Sequence, residues 1–244
     1  MPDVWEEHAQ WWQDEFTDGV DPEYTEQILP LIAQRLAEVV PTGGVVVDVG
    51  CGEGQVARYV GEGRTVIGLD PAWLQVETGQ QREGGVHYAQ GSAMSLGLRT
   101  AVADAAIACL VFEHIEDLDE ALAEVARVLK PGGVFLFLLN HPLLQTPGSG
   151  WIDDQILDPP EQYWRVGPYL PEAVTEEQVE KDVFIRFYHR PLNRYLNSAR
   201  SVGLVLDHMD EPEPPAGFLA GAPEYEEAAS IPRLLSLRFV REAG

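Results

Sequence analysis

Positive charge is what this 244-residue chain has least of: sixteen basic residues stand against forty acidic ones, and only Lys130 and Lys181 are lysines. A formal charge of −24 repels phosphate backbones, so nucleic-acid partners are disfavoured. Cysteine is nearly as scarce. Cys51 sits among glycines and Cys109 in an apolar segment, with no framework spacing, which excludes a disulfide scaffold. That usage reads as a reduced, cytoplasmic protein. No apolar run approaches the ~20 residues of a membrane helix; Val134 to Leu139 reads as a strand. The first residues, Met1 to Glu7, are acidic and lack the basic start and apolar middle of a signal peptide. Internal repeats and low-complexity tracts are absent as well. What is present is an ordinary 45% hydrophobic content, enough for one α/β domain with an appended cap.

The most informative stretch is Val45-Val46-Val47-Asp48-Val49-Gly50-Cys51-Gly52-Glu53-Gly54-Gln55. Its valines read as a buried strand, and Gln55 to Val60 reads as the start of a helix. A strand that turns into a helix through glycines brings bare backbone N–H groups close to a ligand. A dinucleotide fingerprint would need a third glycine where Gln55 stands. Asp48, two residues ahead of Gly50, would repel a pyrophosphate and suit an amine or a hydroxyl. A second short strand, Thr65 to Leu69, ends at Asp70, an acid that can accept from both ribose hydroxyls. Two carboxylates without a phosphate cradle point to S-adenosylmethionine (SAM).

Four segments in order, VVVDVGCGEGQVAR, VIGLDPAWLQVE, YAQGSAMSLGL and CLVFEHIEDLDEALAEVARVLKPGGVFLFLL, resemble the class I SAM-dependent methyltransferases over roughly residues 43–140. The resemblance implies a seven-stranded, mostly parallel sheet with helices on both faces and a last strand running antiparallel. It implies SAM as cofactor, with Gly50, Gly52 and Gly54 admitting the methionine moiety, Asp48 anchoring its amine and Asp70 its ribose. Pro71 and Ala72 would line the ribose and adenine edge, and Cys51, Ala93 and Leu110 complete the cofactor set. One residue departs from the pattern. Relatives carry Gly-Asp-Ala where this chain has Gly91-Ser92-Ala93, so Ser92 can accept from the adenine amine only without charge assistance. Met94 or a backbone amide is the alternative support for the ring.

In chain order, a helix is read over 3–16 with Trp5, Trp12 and Phe16 on one face. A second helix starts at Asp21-Pro22 and should kink at Pro30. Residues 1–40 are taken as a helical cover, an arrangement the resemblance implies, and 41–244 as the methyltransferase domain. The alternative is an ordinary amphipathic helix pair on the sheet edge. Strands are read at 45–49, 65–69, 86–89, 104–110 and 133–139, and helices at 54–62, 71–82 and 118–130. The rhythm then breaks over 140–190, an aromatic, proline-containing insertion read as a lid after strand 5. Within it Val183 to Tyr188 reads as a strand pairing with 163–169. A helix from Pro191, a strand at 204–209, an acidic loop to Pro232 and a strand at 234–240 complete the chain.

The fourth strand ends in Cys109-Leu110-Val111-Phe112-Glu113-His114-Ile115. It lacks the Asn/Asp-Pro-Pro-aromatic motif of DNA amino-methyltransferases and the Pro-Cys of cytosine methyltransferases. Glu113-His114 resembles instead the small-molecule branch, including quinone-biosynthesis enzymes, as does Phe187-Tyr188-His189-Arg190-Pro191-Leu192. No metal site is read. Three histidines, His114, His141 and His189, are candidate bases on the carboxyl rim of the sheet, and each also reads as an ordinary capping residue. The expected activity is methyl transfer to a small-molecule acceptor at O, N or C, apolar or aromatic in character. The alternatives are a non-catalytic SAM-binding regulator, which Ser92 would permit, and a nicotinamide-dependent oxidoreductase.

Overall fold

The structure, a computed structural model, describes residues 4–18, 20–40, 42–82, 84–221 and 228–243. The expected first residue of the N-terminal helix, Asp3, and residues 222–227 of the acidic loop lie outside these.

Helix α1 (Val4–Phe16) leads into a π-helical turn, Tyr24–Ile28, and then α2 (Leu29–Ala37). The kink expected at Pro30 takes the form of that turn. Pro30 has no N–H to donate to the carbonyl four residues earlier, and its ring crowds that carbonyl. Widening the turn relieves the clash, and the Leu29 N–H bonds the Tyr24 carbonyl five residues back. Strand and helix then alternate through β1 (Val45–Val49), α3 (Gln55–Tyr59), β2 (Thr65–Asp70), α4 (Trp73–Gln81) and β3 (His87–Gln90). Next come β4 (Ala103–Cys109), α5 (Leu118–Val128) and β5 (Leu129–Asn140). Helix α5, read to residue 130, ends at Val128 because Leu129 already pairs with Ala103 of β4. Hairpins β6 (Gly150–Asp154)–β7 (Glu161–Arg165) and β8 (Ala173–Glu180)–β9 (Val183–His189) fill the insertion. Helix α6 (Leu192–Ser201), β10 (Leu204–Asp210), α7 (Ala216–Ala220) and β11 (Leu234–Arg241) follow.

Seven strands form one sheet in the order β10-β11-β5-β4-β1-β2-β3, parallel except for β11, which runs antiparallel to both β5 and β10. The alternation of β5 shows how it is buried on both faces. Phe135, Phe137 and Leu139 pack with Leu118, Leu122 and Val125 of α5, while Val134, Leu136 and Leu138 pack on the side of α2 and α3. The chain order reverses where β1 lies between β2 and β4. Strands there diverge to opposite helix layers, which opens a crevice at their carboxyl ends. No helix among the described residues is long and apolar enough to cross a membrane.

The insertion corrects one expectation. Strand 183–189 does not pair with 163–169. Its partner is β8, joined to it through Lys181 and Asp182, with Asp182 in a left-handed turn conformation (φ 64°). Residues 161–165 pair with 150–154 instead. A short hairpin loses far less chain entropy on closing than a long-range pairing, so each strand takes its sequence neighbour. The Glu-rich β8 was invisible because its face is solvated.

Candidate active site

The glycine loop after β1 is shaped by contacts that leave no room for side chains. Gly50 has φ 71°, and a β-carbon there would come within 2.6 Å of the Val111 side chain. At Gly54 (φ 90°) it would collide with the Tyr88 hydroxyl. The Gly50 and Cys51 N–H groups both donate to the Leu69 carbonyl, at 2.8 and 3.1 Å, tying the loop to the end of β2. Asp70 then accepts from Gly52 N at 2.8 Å through one oxygen and from Ala72 N at 2.9 Å through the other. A carboxylate offers about four lone-pair directions, so it retains acceptor capacity beyond these amides.

Asp48 is the electrostatic anomaly of the loop. It is 1% exposed, and its Oδ2 has no hydrogen-bond partner among the described residues. Burial, and then the Asp70 charge beside it, push its pKa up to about 7, with a backbone N–H of Ala57 acting the other way. A buried acceptor left bare is costly, so the position calls for a donor from outside the chain.

Both carboxylates line one cavity of about 300 Å³, at the small end of ligand sites. Of the residues expected at the cofactor, Asp48, Gly50, Cys51, Gly52, Asp70 and Pro71 from the first two strand ends, Ser92 and Ala93 after β3, and Leu110 after β4 line it, whereas Gly54, packed against Tyr88, and the fully buried Ala72 do not. Leu110 takes a left-handed conformation (φ 57°), unfavourable for a residue with a branched side chain and characteristic of ligand sites. The Ser92 hydroxyl accepts from Met94 N at 3.2 Å, so it braces its own turn while facing the cavity.

The three histidines part company. Only His114 lines the cavity. Its Nδ1 lies 3.0 Å from the Arg186 carbonyl, which can only accept, so Nδ1 carries the proton and Nε2 a lone pair. Burial lowers its pKa to about 4, keeping the ring neutral, edge-to-face with Trp5 and tilted against Phe187. His141 does not reach the cavity lining. Its backbone N–H bonds the Arg233 carbonyl, and its ring turns back to accept from Leu143 N and to bond Glu211 at 2.8 Å. His189 is also outside it, its Nε2 donating to the Tyr169 carbonyl at 2.8 Å. The twofold alternation of β9 explains this, for it sends Tyr188 to the cavity and His189 to the opposite side.

Trp5 and Trp12, read from the sequence as one face of the covering helix, contribute to the wall, together with Thr17, Tyr24 and Gln75, to which the sequence reading gave no role. Helix α1 is held over the cavity by the Glu6 carboxylate, which accepts from Leu74 N in the first turn of α4, and by Gln13 donating to Gln75 at 2.8 Å. Arg190, 4% exposed, donates to the carbonyls of Phe112, Ile115 and Glu116 at 3.2, 2.7 and 2.7 Å. It therefore braces the loop that carries His114. Glu113, beside His114 in sequence, lies outside the cavity lining and is buried against Asn140, which donates to it through backbone and side chain. Burial raises its pKa to about 7. The alternation of β9 was the signal for Tyr188; none in the sequence points to the roles of Arg190 or Glu113.

Residues 47–137 match the family model described as "Methyltransferase domain". The chain is 38% identical over 111 residues to a malonyl-[acyl-carrier protein] O-methyltransferase of Serratia marcescens, covering 45% of this chain and 44% of that protein. It is 31% identical over 133 residues to the O-methyltransferase rstn1 of Aspergillus nomiae, covering 51% and 58%. The chain thus spans about half the length of the curated relatives it matches. A crystal structure of an S-adenosylmethionine dependent methyltransferase from Mesorhizobium loti superposes with a TM-score of 0.73 at 26% identity, over 87% of this chain and 100% of that one.

Proposed function

The chain carries a class I, Rossmann-like methyltransferase domain, and from that premise we propose that it transfers a methyl group from SAM to a small-molecule acceptor. The observation that carries this is the pair of carboxylates in one cavity, one of them buried with a bare oxygen. An ammonium group would satisfy Asp48, and a ribose diol would use the remaining lone pairs of Asp70. A pyrophosphate would meet two negative charges and, among the lining residues, no lysine or arginine, which disfavours a nicotinamide dinucleotide.

Within this reading the glycine loop brings backbone against the methionine moiety, and Ser92 and Met94 border the adenine. When bound, the sulfonium supplies an activated methyl, its carbon–sulfur bond breaking toward sulfur as the acceptor's lone pair forms the new bond. Orientation matters most in such an in-line displacement. The chain's contribution is to hold the acceptor against His114, whose bare Nε2 takes the acceptor's hydrogen. His141 and His189, committed elsewhere, have positioning roles at the rim.

The acceptor side is walled by Trp5, Ile115 and Tyr188, which supports an apolar or aromatic acceptor. We take residues 1–40 as a cover over the site and 140–190 as the insertion that supplies Tyr188 and Arg190. The free thiols of Cys51 and Cys109 suit a reducing, cytoplasmic setting. The net charge of −24 argues against nucleic acid as the acceptor.

The test is titration calorimetry with S-adenosylhomocysteine, NAD and ATP, followed by transfer of labelled methyl from SAM into small-molecule pools. Micromolar binding of S-adenosylhomocysteine alone is expected; binding of NAD in its place would sink the proposal. A second expectation concerns His114. Imidazole NMR should find it neutral, with its proton on Nδ1, down to about pH 5, since burial holds its pKa near 4. Titration near the ordinary histidine value would contradict the burial of the ring between Trp5 and Phe187.

A further inference from the structure

We infer that the acceptor is an uncharged hydrogen-bond donor, a hydroxyl or neutral amine on a ring or apolar chain, and that free carboxylates and phosphates are rejected. This rests on the methyl-donor reading above and concerns what stands opposite the donor. The lining holds Asp48, Glu53, Asp70 and Glu116 but no lysine or arginine. Glu53 is paired with Arg58 and Arg82 at 2.6 and 3.0 Å, and both guanidiniums lie behind it.

Two other guanidiniums, Arg186 and Arg190, lie in the segment that supplies Tyr188, and neither is among the residues lining the cavity. Arg190 holds the three carbonyls of the 112–116 loop. Arg186, about half exposed, has Glu176 at 3.9 Å. The backbone N–H groups of Leu110, His114 and Ile115 on the acceptor side are bonded within the chain as well. The one polar group offered to an acceptor by His114 is a lone pair, because the Arg186 carbonyl holds the Nδ1 proton.

An anionic acceptor would thus lose its water shell beside Glu116 and face an acceptor atom, with no cation to pair it. A neutral O–H or N–H gives its hydrogen to Nε2 and lays its apolar body between Trp5 and Tyr188. A malonyl group, named in the substrate of the Serratia marcescens relative, carries a free carboxylate. Among the described residues that line this cavity, no lysine or arginine is placed to pair with one.

The experiment is equilibrium binding to the full chain saturated with S-adenosylhomocysteine. The probes are a panel of phenols and alcohols, 2-naphthol and 1-octanol among them, each beside its matching carboxylate, such as 2-naphthoate and octanoate. The neutral members are expected to bind at least tenfold more tightly. A carboxylate that binds as well as its hydroxyl partner, or a panel with no neutral binder, overturns the inference. Glu116→Arg should raise carboxylate binding at least fivefold, and His114→Phe, which keeps a ring between Trp5 and Phe187, should erase the preference for hydroxyls. An unchanged preference in both variants also overturns it. Failure of S-adenosylhomocysteine itself to bind, seen first and separately, would instead fell the donor reading.

Discussion

Asp70→Ala is expected to weaken S-adenosylhomocysteine by about 10- to 150-fold, read by titration calorimetry at constant salt. The lost interaction is a pair of charge-assisted hydrogen bonds, worth about 1.5–3 kcal/mol. The same carboxylate accepts from Gly52 N and Ala72 N, so its removal also frees the glycine loop at the point where backbone approaches the ligand. Asp70→Asn separates the two contributions. An amide oxygen still accepts from one of these N–H groups, while its NH₂ opposes the other and the charge is gone. Affinity between wild type and alanine is the expected result. Unchanged affinity in Asp70→Ala would remove this residue from the site.

Asp48→Asn is expected to do two opposite things: stabilise the ligand-free protein above neutral pH and weaken the cofactor. Burial raises the Asp48 pKa from 3.8 to about 7, so the folded chain holds a proton that the unfolded chain has released. Its stabilising contribution is therefore complete below pH 3.8 and is lost as pH rises through 7. Between pH 5 and 8 that loss amounts to about 2–3 kcal/mol. Glu113, with its pKa also raised to about 7, adds a fall of the same sign, while His114, its pKa lowered to about 4, adds a rise up to about pH 6.5, so the contribution of Asp48 is read as the difference in slope between wild type and variant, about one proton. Cofactor binding runs the other way. Pairing with an ammonium requires the ionised carboxylate, so wild-type affinity should fall about tenfold per pH unit below 7. In Asp48→Asn it should be weak and flat across that range. Chemical denaturation and calorimetry from pH 5 to 8 measure both effects. A variant with the wild-type slopes would show that Asp48 does not titrate in this window.

Local pattern carried much of the architecture. The valines of β1, the alternation of β5 and the apolar stripe of α5 were legible because strand and helix periods are written in neighbouring residues. The antiparallel last strand came from resemblance, since nothing within residues 234–240 encodes its direction. The hairpin of β8 and β9 was misread because a Glu-rich, solvated strand has no buried face to announce it.

What the sequence by itself determined is the glycine loop and the spacing of Asp48 and Asp70, for a strand, a turn and the next strand end are set by local geometry. What only the tertiary structure decided is which rim residues meet inside. His114 takes its tautomer from a carbonyl 72 residues away, and His141 is drawn to Glu211, 70 residues on. Trp5 reaches the cavity because α1 docks on the first turn of α4. Side-chain direction at a strand end depends on register and on hydrogen-bond partners brought from distant segments, and no local period encodes those partners.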